Sequence, residues 1–145
     1  MKVIGCFFAV VLGLSACTKE SDALKAALQT NNSPVTAPIP VQPALKRGVL
    51  YSTSGIQVMG VVKIIQQASG LQVQLDSFSV SAGPDLKVYL SQAATPGNHL
   101  NLGNLQSNSG TQYYNIPAGT NLSAYPFVLI HCQQYNHLFS YASIQ

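Results

Sequence analysis

Charge is scarce in this sequence of 145 residues: Asp, Glu, Lys and Arg together make up 8% of it, and the formal net charge is +3. Beyond Lys2, the cations Lys19, Lys25, Lys46, Arg47, Lys63 and Lys87 are scattered, with no basic stripe of the kind that neutralises a phosphate backbone, so nucleic acid is not an expected partner. Acids are scarcer still, and beyond residue 45 they are reduced to Asp76 and Asp85. Asp76 falls on the polar side of a strand-like segment, and Asp85 follows Gly83-Pro84, where an Asx-type hydrogen bond to the backbone is the ordinary use of the residue. A catalytic carboxylate pair is therefore not expected. Also missing are a G-x-S-x-G elbow, an H-E-x-x-H helix, a C-x-x-C-H haem motif and a P-loop, which speaks against a classical enzyme. The surface is left to Gln, Asn, Ser and Thr, which offer hydrogen bonds without charge.

Cysteine is equally sparse, at three residues, and two of them belong to the N-terminus. Met1-Lys2, an apolar run from Val3 to Leu14 and the small residues Ser15-Ala16 read as a secretory signal over residues 1–16. The run is too short to span about 30 Å of hydrocarbon, which takes about 20 apolar residues. Leu14-Ser15-Ala16-Cys17 resembles the bacterial lipobox, in which the cysteine is acylated with palmitate-type chains and becomes the new N-terminus. Several such chains, at about 0.8 kcal/mol per buried CH₂, make a stable membrane anchor. Asp after the acylated cysteine favours inner-membrane retention in Gram-negative bacteria. Here the residue is Thr18, so the resemblance points to an outer-membrane lipoprotein facing the periplasm if the cell has an outer membrane. Removing Cys6 with the signal and lipidating Cys17 leaves Cys132 as the one free thiol, so no intrachain disulfide is expected.

Residues 17–45 read as a lipidated start followed by a tether. Ser21 to Gln29 could form only two helical turns, too few to be stable alone. Pro34, Pro38, Pro40 and Pro43 then favour extended chain at about 3.1 Å per residue. Only Ile39 to Val41 offers an edge strand. Residues 46–145 are dominated by period two. Leu71, Val73 and Leu75 alternate with Gln72, Gln74 and Asp76, and Leu86, Val88 and Leu90 with Lys87, Tyr89 and Ser91. Further strands are predicted at Val49–Ser52, Gln57–Ile65, Asn101–Leu105, Gln112–Ile116, Phe127–Cys132 and Leu138–Ser143. Turn chemistry separates them at Ser54-Gly55, Ser69-Gly70, Gly83-Pro84, Pro96-Gly97, Ser109-Gly110 and Ala118-Gly119. The expected fold is all-β, an antiparallel β-sandwich or partly open barrel of about eight to ten short strands.

Gly83-Pro84-Asp85-Leu86-Lys87-Val88-Tyr89-Leu90-Ser91, Leu102-Gly103-Asn104-Leu105, Gly110-Thr111-Gln112-Tyr113-Tyr114-Asn115-Ile116-Pro117, Val128-Leu129-Ile130-His131-Cys132 and Phe139-Ser140-Tyr141-Ala142 resemble, in order and spacing, the successive blocks of a DM13 domain. The resemblance implies an all-β module of secreted or membrane-attached proteins, found beside DOMON and cytochrome-type partners. It also implies a proposed role in electron transfer through a late cysteine, which here is Cys132. Two positions depart from the family pattern: His131 stands where an aromatic is frequent, and Phe139-Ser140 replaces a Phe-Gly pair.

A thiol-redox role requires Cys132 to be reachable and its thiolate stabilised by a neighbour. On a strand His131 points to the opposite face, whereas His137, beyond a turn at Gln134–Asn136, can fold back toward it, and Asp85 or Tyr113 reach it only through tertiary packing. A lone cysteine cannot run a C-x-x-C cycle and would work through a sulfenic acid or a mixed disulfide with an envelope redox partner. The bland alternative makes Cys132 a small buried hydrophobe in a core strand. His99, Cys132 and His137 supply the ligand types of a blue-copper site, but no Met follows His137, and loop histidines account for both imidazoles more simply. No bound metal is predicted. The competing function is a non-catalytic module that binds an envelope protein or glycan through polar and aromatic strand faces, using residues such as Tyr113, Tyr114, Tyr125, Phe127, Tyr135, Phe139 and Tyr141, which core and rim packing explains equally well.

Overall fold

The computed structural model describes residues 43–145. The signal segment 1–16, Cys17, the tether up to residue 42 and the edge-strand option at Ile39–Val41 lie outside the described residues. Nine strands follow: β1 (Lys46–Val49), β2 (Tyr51–Ser52), β3 (Val58–Gln67), β4 (Gly70–Val80), β5 (Leu86–Ser91), β6 (His99–Asn104), β7 (Ser109–Asn115), β8 (Phe127–Cys132) and β9 (His137–Ser143). A single 3₁₀ turn, Leu122–Ala124, is capped by the Asn121 side chain, which accepts from the Ser123 N–H. Four strands form one antiparallel sheet in the order β1-β3-β4-β7, and five form the other in the order β2-β9-β8-β5-β6. The protein is therefore a two-sheet β-sandwich and not a closed barrel, and among the described residues no helix is long and apolar enough to cross a membrane.

The alternation that predicts the strands also builds the core. Val62, Ile64, Val73 and Leu75 from the four-stranded sheet meet Leu86, Val88, Leu90, Val128, Ile130 and Ala142 from the five-stranded one, all buried. Burying each Val, Leu or Ile stabilises by about 1.5–3 kcal/mol relative to exposure, so this two-sided stripe dominates the energetics. One long edge of the sandwich is closed where the chain passes from β1 to β2. Leu50 turns into the core between them, and Arg47 exchanges both backbone hydrogen bonds with Gln145 just past β9. A side chain at Gly48 would collide with the Ser143 carbonyl, so only glycine lets β1 lie against that strand end.

Two irregularities depart from the expected pattern. β4 runs on to Val80, because a bulge at Asp76 and Ser77 flips the alternation and puts Phe78 inward. Ser77 occupies a left-handed conformation (φ 50°), and Gly60 on β3 passes so close that a Cβ there would lie 2.9 Å from the Phe78 Cα. Ser109-Gly110, expected as a turn, instead opens β7: Ser109 pairs with Ser79 and Gly110 with Phe78, across from the bulge.

Candidate functional site

Cys132 and His137 lie on the five-stranded sheet, Asp85 lies in the turn that precedes β5, and Tyr113 belongs to the other sheet. Cys132 ends β8 with its side chain in the core, 0% exposed, and no hydrogen bond reaches its sulfur. Its Cα partners are Leu86 on β5 and His137 on β9. His137 is exposed and packs edge-on against Phe139 at 5.5 Å. Asp85 does not approach the thiol through its carboxylate, which pairs with Lys87 at 2.7 Å, while its carbonyl accepts from the Gln133 N–H. Tyr113 sits on the outer face of the other sheet, where Gln74 donates to its hydroxyl. The geometry thus sets Cys132 apart from every expected auxiliary except His137.

The ligand types of a copper site are likewise separated. Cys132 points into the sandwich, whereas His99 lies on the outside of the same sheet, its ring stacked on Tyr89 and its Nδ1 bonded to the Gly97 carbonyl at 2.7 Å. Among the described residues no three His, Cys, Asp or Glu side chains gather as a metal ion would need. A cleft of about 230 Å³ between Gln66, Ser69 and Leu71 on one side and Ile116 to Thr120 on the other carries no charged side chain.

What the structure does assemble lies on the outer face of the five-stranded sheet. There Asn101, Tyr89, Leu129, Tyr141 and Tyr51 stand in register across five consecutive strands. Tyr51 and Tyr141 meet at 5.7 Å. Tyr89, on the central strand of its trio, is flanked from both sides: His99 of β6 stacks on it at 4.0 Å, and the ring of His131 of β8 tilts against it at 5.5 Å. Tyr89 is 3% exposed and His131 4%, while His99 is exposed. Neither ring nitrogen of His131 has a hydrogen-bond partner, although both are buried. Leaving such a group without a partner costs about 1–3 kcal/mol.

Electrostatics sharpen this arrangement. Burial raises the Tyr89 phenol above its usual range, while the neighbouring Lys87 ammonium pulls it down and Asp85 pushes it up. Burial also lowers the His131 imidazole below its ordinary value; nearby Asn136 opposes this without reaching hydrogen-bond geometry, and His99 and His137 reinforce it. Burial thus favours the neutral form of His131. Lys87, the cross-strand partner of His131, is held by Asp85 and by Asn104.

Sequence reading passed over Tyr89 and Tyr51. Tyr89 lies between two core positions, Val88 and Leu90, and so reads as a solvent-facing residue. Its histidine neighbours come from strands about ten and forty residues along the chain, and only the register joins them.

The family profile described as electron transfer DM13 matches residues 51–144. The chain belongs to the DM13 family. No curated protein and no solved structure matches it. The DM13 match spans β2 to β9, so it covers both the core cysteine and the Tyr89 face, and the family's name associates the domain with electron transfer.

Proposed function

We propose that this chain is a membrane-anchored envelope lipoprotein whose DM13 domain takes part in electron transfer, exchanging single electrons with a metal-centred redox partner at the outer face of its five-stranded sheet. The observation that carries this reading is the Tyr89 ring, shielded from water and flanked by two imidazoles, one of them exposed to a partner. The anchor rests on the lipobox-like Leu14-Ser15-Ala16-Cys17 and on Thr18, which favours an outer-membrane address in a Gram-negative cell. A thiol route through Cys132 is the second reading. It is favoured by the position of Cys132 at the very end of β8, beside the exposed turn Gln133–Asn136, so that opening one turn would uncover it. In the closed fold the sulfur is unreachable, and a mixed disulfide with a partner requires that opening. A binding module for glycan or protein is ranked below both, because the amides on the opposite sheet engage one another, Gln72 donating to Asn115 at 2.7 Å.

The test uses the full chain purified in detergent from a bacterial envelope. Palmitate labelling is expected on the wild type and lost in Cys17→Ser. Titration with graded one-electron oxidants is expected to withdraw electrons reversibly. A chain that exchanges none at any potential short of damage sinks the electron-transfer reading and leaves the binding module.

A further inference from the structure

We infer that the sandwich edge where β1 passes into β2 is a membrane-contact surface, which docks the domain on the head groups of an anionic phospholipid bilayer through Leu45, Val49, Tyr51 and Met59, with Arg47 and Lys46 beside them. The inference rests on the membrane anchoring proposed above and adds to it a second contact, made by the folded domain itself.

Two independent observations converge on this edge. The first is apolar. Among the described residues the exposed large hydrophobic side chains are Leu45, Val49, Tyr51, Met59, Tyr113 and Tyr135, and the first four lie along this one edge. Register gathers them. Lys46 and Gly48 pair with the core positions Ile64 and Val62, so Arg47 and Val49 stand with Lys63 and Val61 on the outer face. The Leu50 N–H donates to the Gly60 carbonyl and fixes the crossing next to Met59, and Tyr51 continues round the edge to meet the ring of Tyr141 on the other sheet. Apolar side chains scattered singly are ordinary on a soluble surface, whereas contiguous ones mark a contact.

The second observation is charge. The described residues hold the cations Lys46, Arg47, Lys63 and Lys87 and the acids Asp76 and Asp85. Both acids are taken, Asp76 by Lys63 and Asp85 by Lys87. Lys46 and Arg47, adjacent to the apolar edge, are therefore the cations left without an acidic partner among the described residues. An anionic lipid surface suits both halves of the patch, because Tyr side chains settle at the head-group level and basic ones meet the lipid phosphates. A second copy of the chain suits it less: an isologous pair would bring two cationic edges together with no acid between them. The chain also enters β1 at Leu45, beside the patch, so an anchor upstream draws this edge toward the bilayer. His99 of β6, on the strand at the far side of its sheet, stays accessible from the other direction.

The sequence contains no tryptophan, so a single introduced one reports alone. The experiment reconstitutes the full chain, purified from a bacterial envelope, into vesicles of phosphatidylcholine and phosphatidylglycerol with brominated acyl chains, which quench tryptophan on contact. Met59→Trp places the probe in the patch. Tyr113→Trp places it on β7, at the opposite edge of the same sheet and three strand spacings, or about 14 Å, from β1. Strong quenching is expected at position 59 and little at position 113. Adding Arg47→Gln to Met59→Trp is expected to lower the ratio of docked to free domain about fivefold, the worth of one basic side chain at an anionic surface, and vesicles without phosphatidylglycerol lower it further. Equal quenching at the two positions, or none at position 59 in a chain that floats with the vesicles, overturns the docking surface and leaves the anchor standing. Burial of the position 59 probe without vesicles, growing with protein concentration, assigns the edge to a second copy and also overturns the inference. A chain that does not float with the vesicles removes both the docking surface and the anchor beneath it.

Discussion

Cys132 and His137 are cross-strand partners at the mouth of the β8–β9 hairpin, yet the thiol is wholly buried while the imidazole stands in solvent against the edge of Phe139. Register brings the two residues together, and packing separates their chemistry. Access to solvent, more than proximity to histidine, therefore governs what Cys132 can do in the closed fold.

Alkylation of Cys132 in the native chain, followed by peptide mass so that other cysteines do not confuse it, is expected to be slow from pH 6 to pH 9 and complete in denaturant. The limit is reach, since the sulfur has no exposed surface. Rapid native labelling would show that the turn at Gln133–Asn136 opens readily and would restore the thiol route to first place.

Replacing Cys132 separates packing from polarity. Cys132→Ala leaves a small void, whereas Cys132→Ser buries a hydroxyl among Leu86, Val88 and Ile130 with no partner. The serine variant is expected to be the less stable by about 1–3 kcal/mol in urea unfolding. Equal stabilities would mean that water reaches the site.

Ser140 provides the converse. Its hydroxyl is buried and unpaired on β9, where the family resemblance expects glycine. Ser140→Ala removes the orphan without emptying much volume and is expected to stabilise the domain by about 1 kcal/mol, read as a higher urea midpoint with an unchanged slope. A destabilised variant would show that the hydroxyl has found a partner.

Gly60→Ala is expected to destabilise by about 1–3 kcal/mol, because the residue holds φ 127° and its new Cβ would press on the Phe78 Cα. Thermal denaturation measures this directly. The same substitution at Gly97, where a Cβ meets open space, serves as the comparison.

Stability is expected to depend on pH through His131. Its folded-state value lies below the ordinary 6.5, so the unfolded chain binds the extra proton first. The contribution is fully present above about 6.5 and is lost as pH falls toward the lowered folded value. Urea midpoints between pH 8 and pH 5 are expected to decline in the wild type and to flatten in His131→Phe. Asp76 acts at a lower pH: hydrogen bonding from Lys63 holds it below its ordinary 3.8, so its contribution is present above that value and fades as pH drops through the folded one.

The legible parts of the fold were those where one rule acts alone. β5 follows an apolar-polar alternation and β8 opens as a continuous apolar run, and the sequence pattern delimits them at Leu86–Ser91 and Phe127–Cys132. In β4 the alternation is plain from Leu71 to Asp76, but the bulge at Ser77 resets the period, which no local propensity announces. Ser109-Gly110 carries a turn signal in its glycine, yet the positive φ of Gly110 serves a strand opposite that bulge. The site was less legible than the fold. Cys132 could be named from its place in the family pattern and His131 assigned to the far face from strand geometry. The clasp of His99 and His131 around Tyr89 depends on two strand registers set by distant residues.

Because β1 hydrogen-bonds to β3 along one side and to Gln145 along the other, it works as a clasp between the two layers. A pull entering the domain from residue 43 is therefore resisted by both sheets at once, and peeling β1 away must also free the chain just past β9. Mechanical load arriving at residue 43 and opening of the sandwich edge are a single event, with Gly48 as the point where the clasp closes.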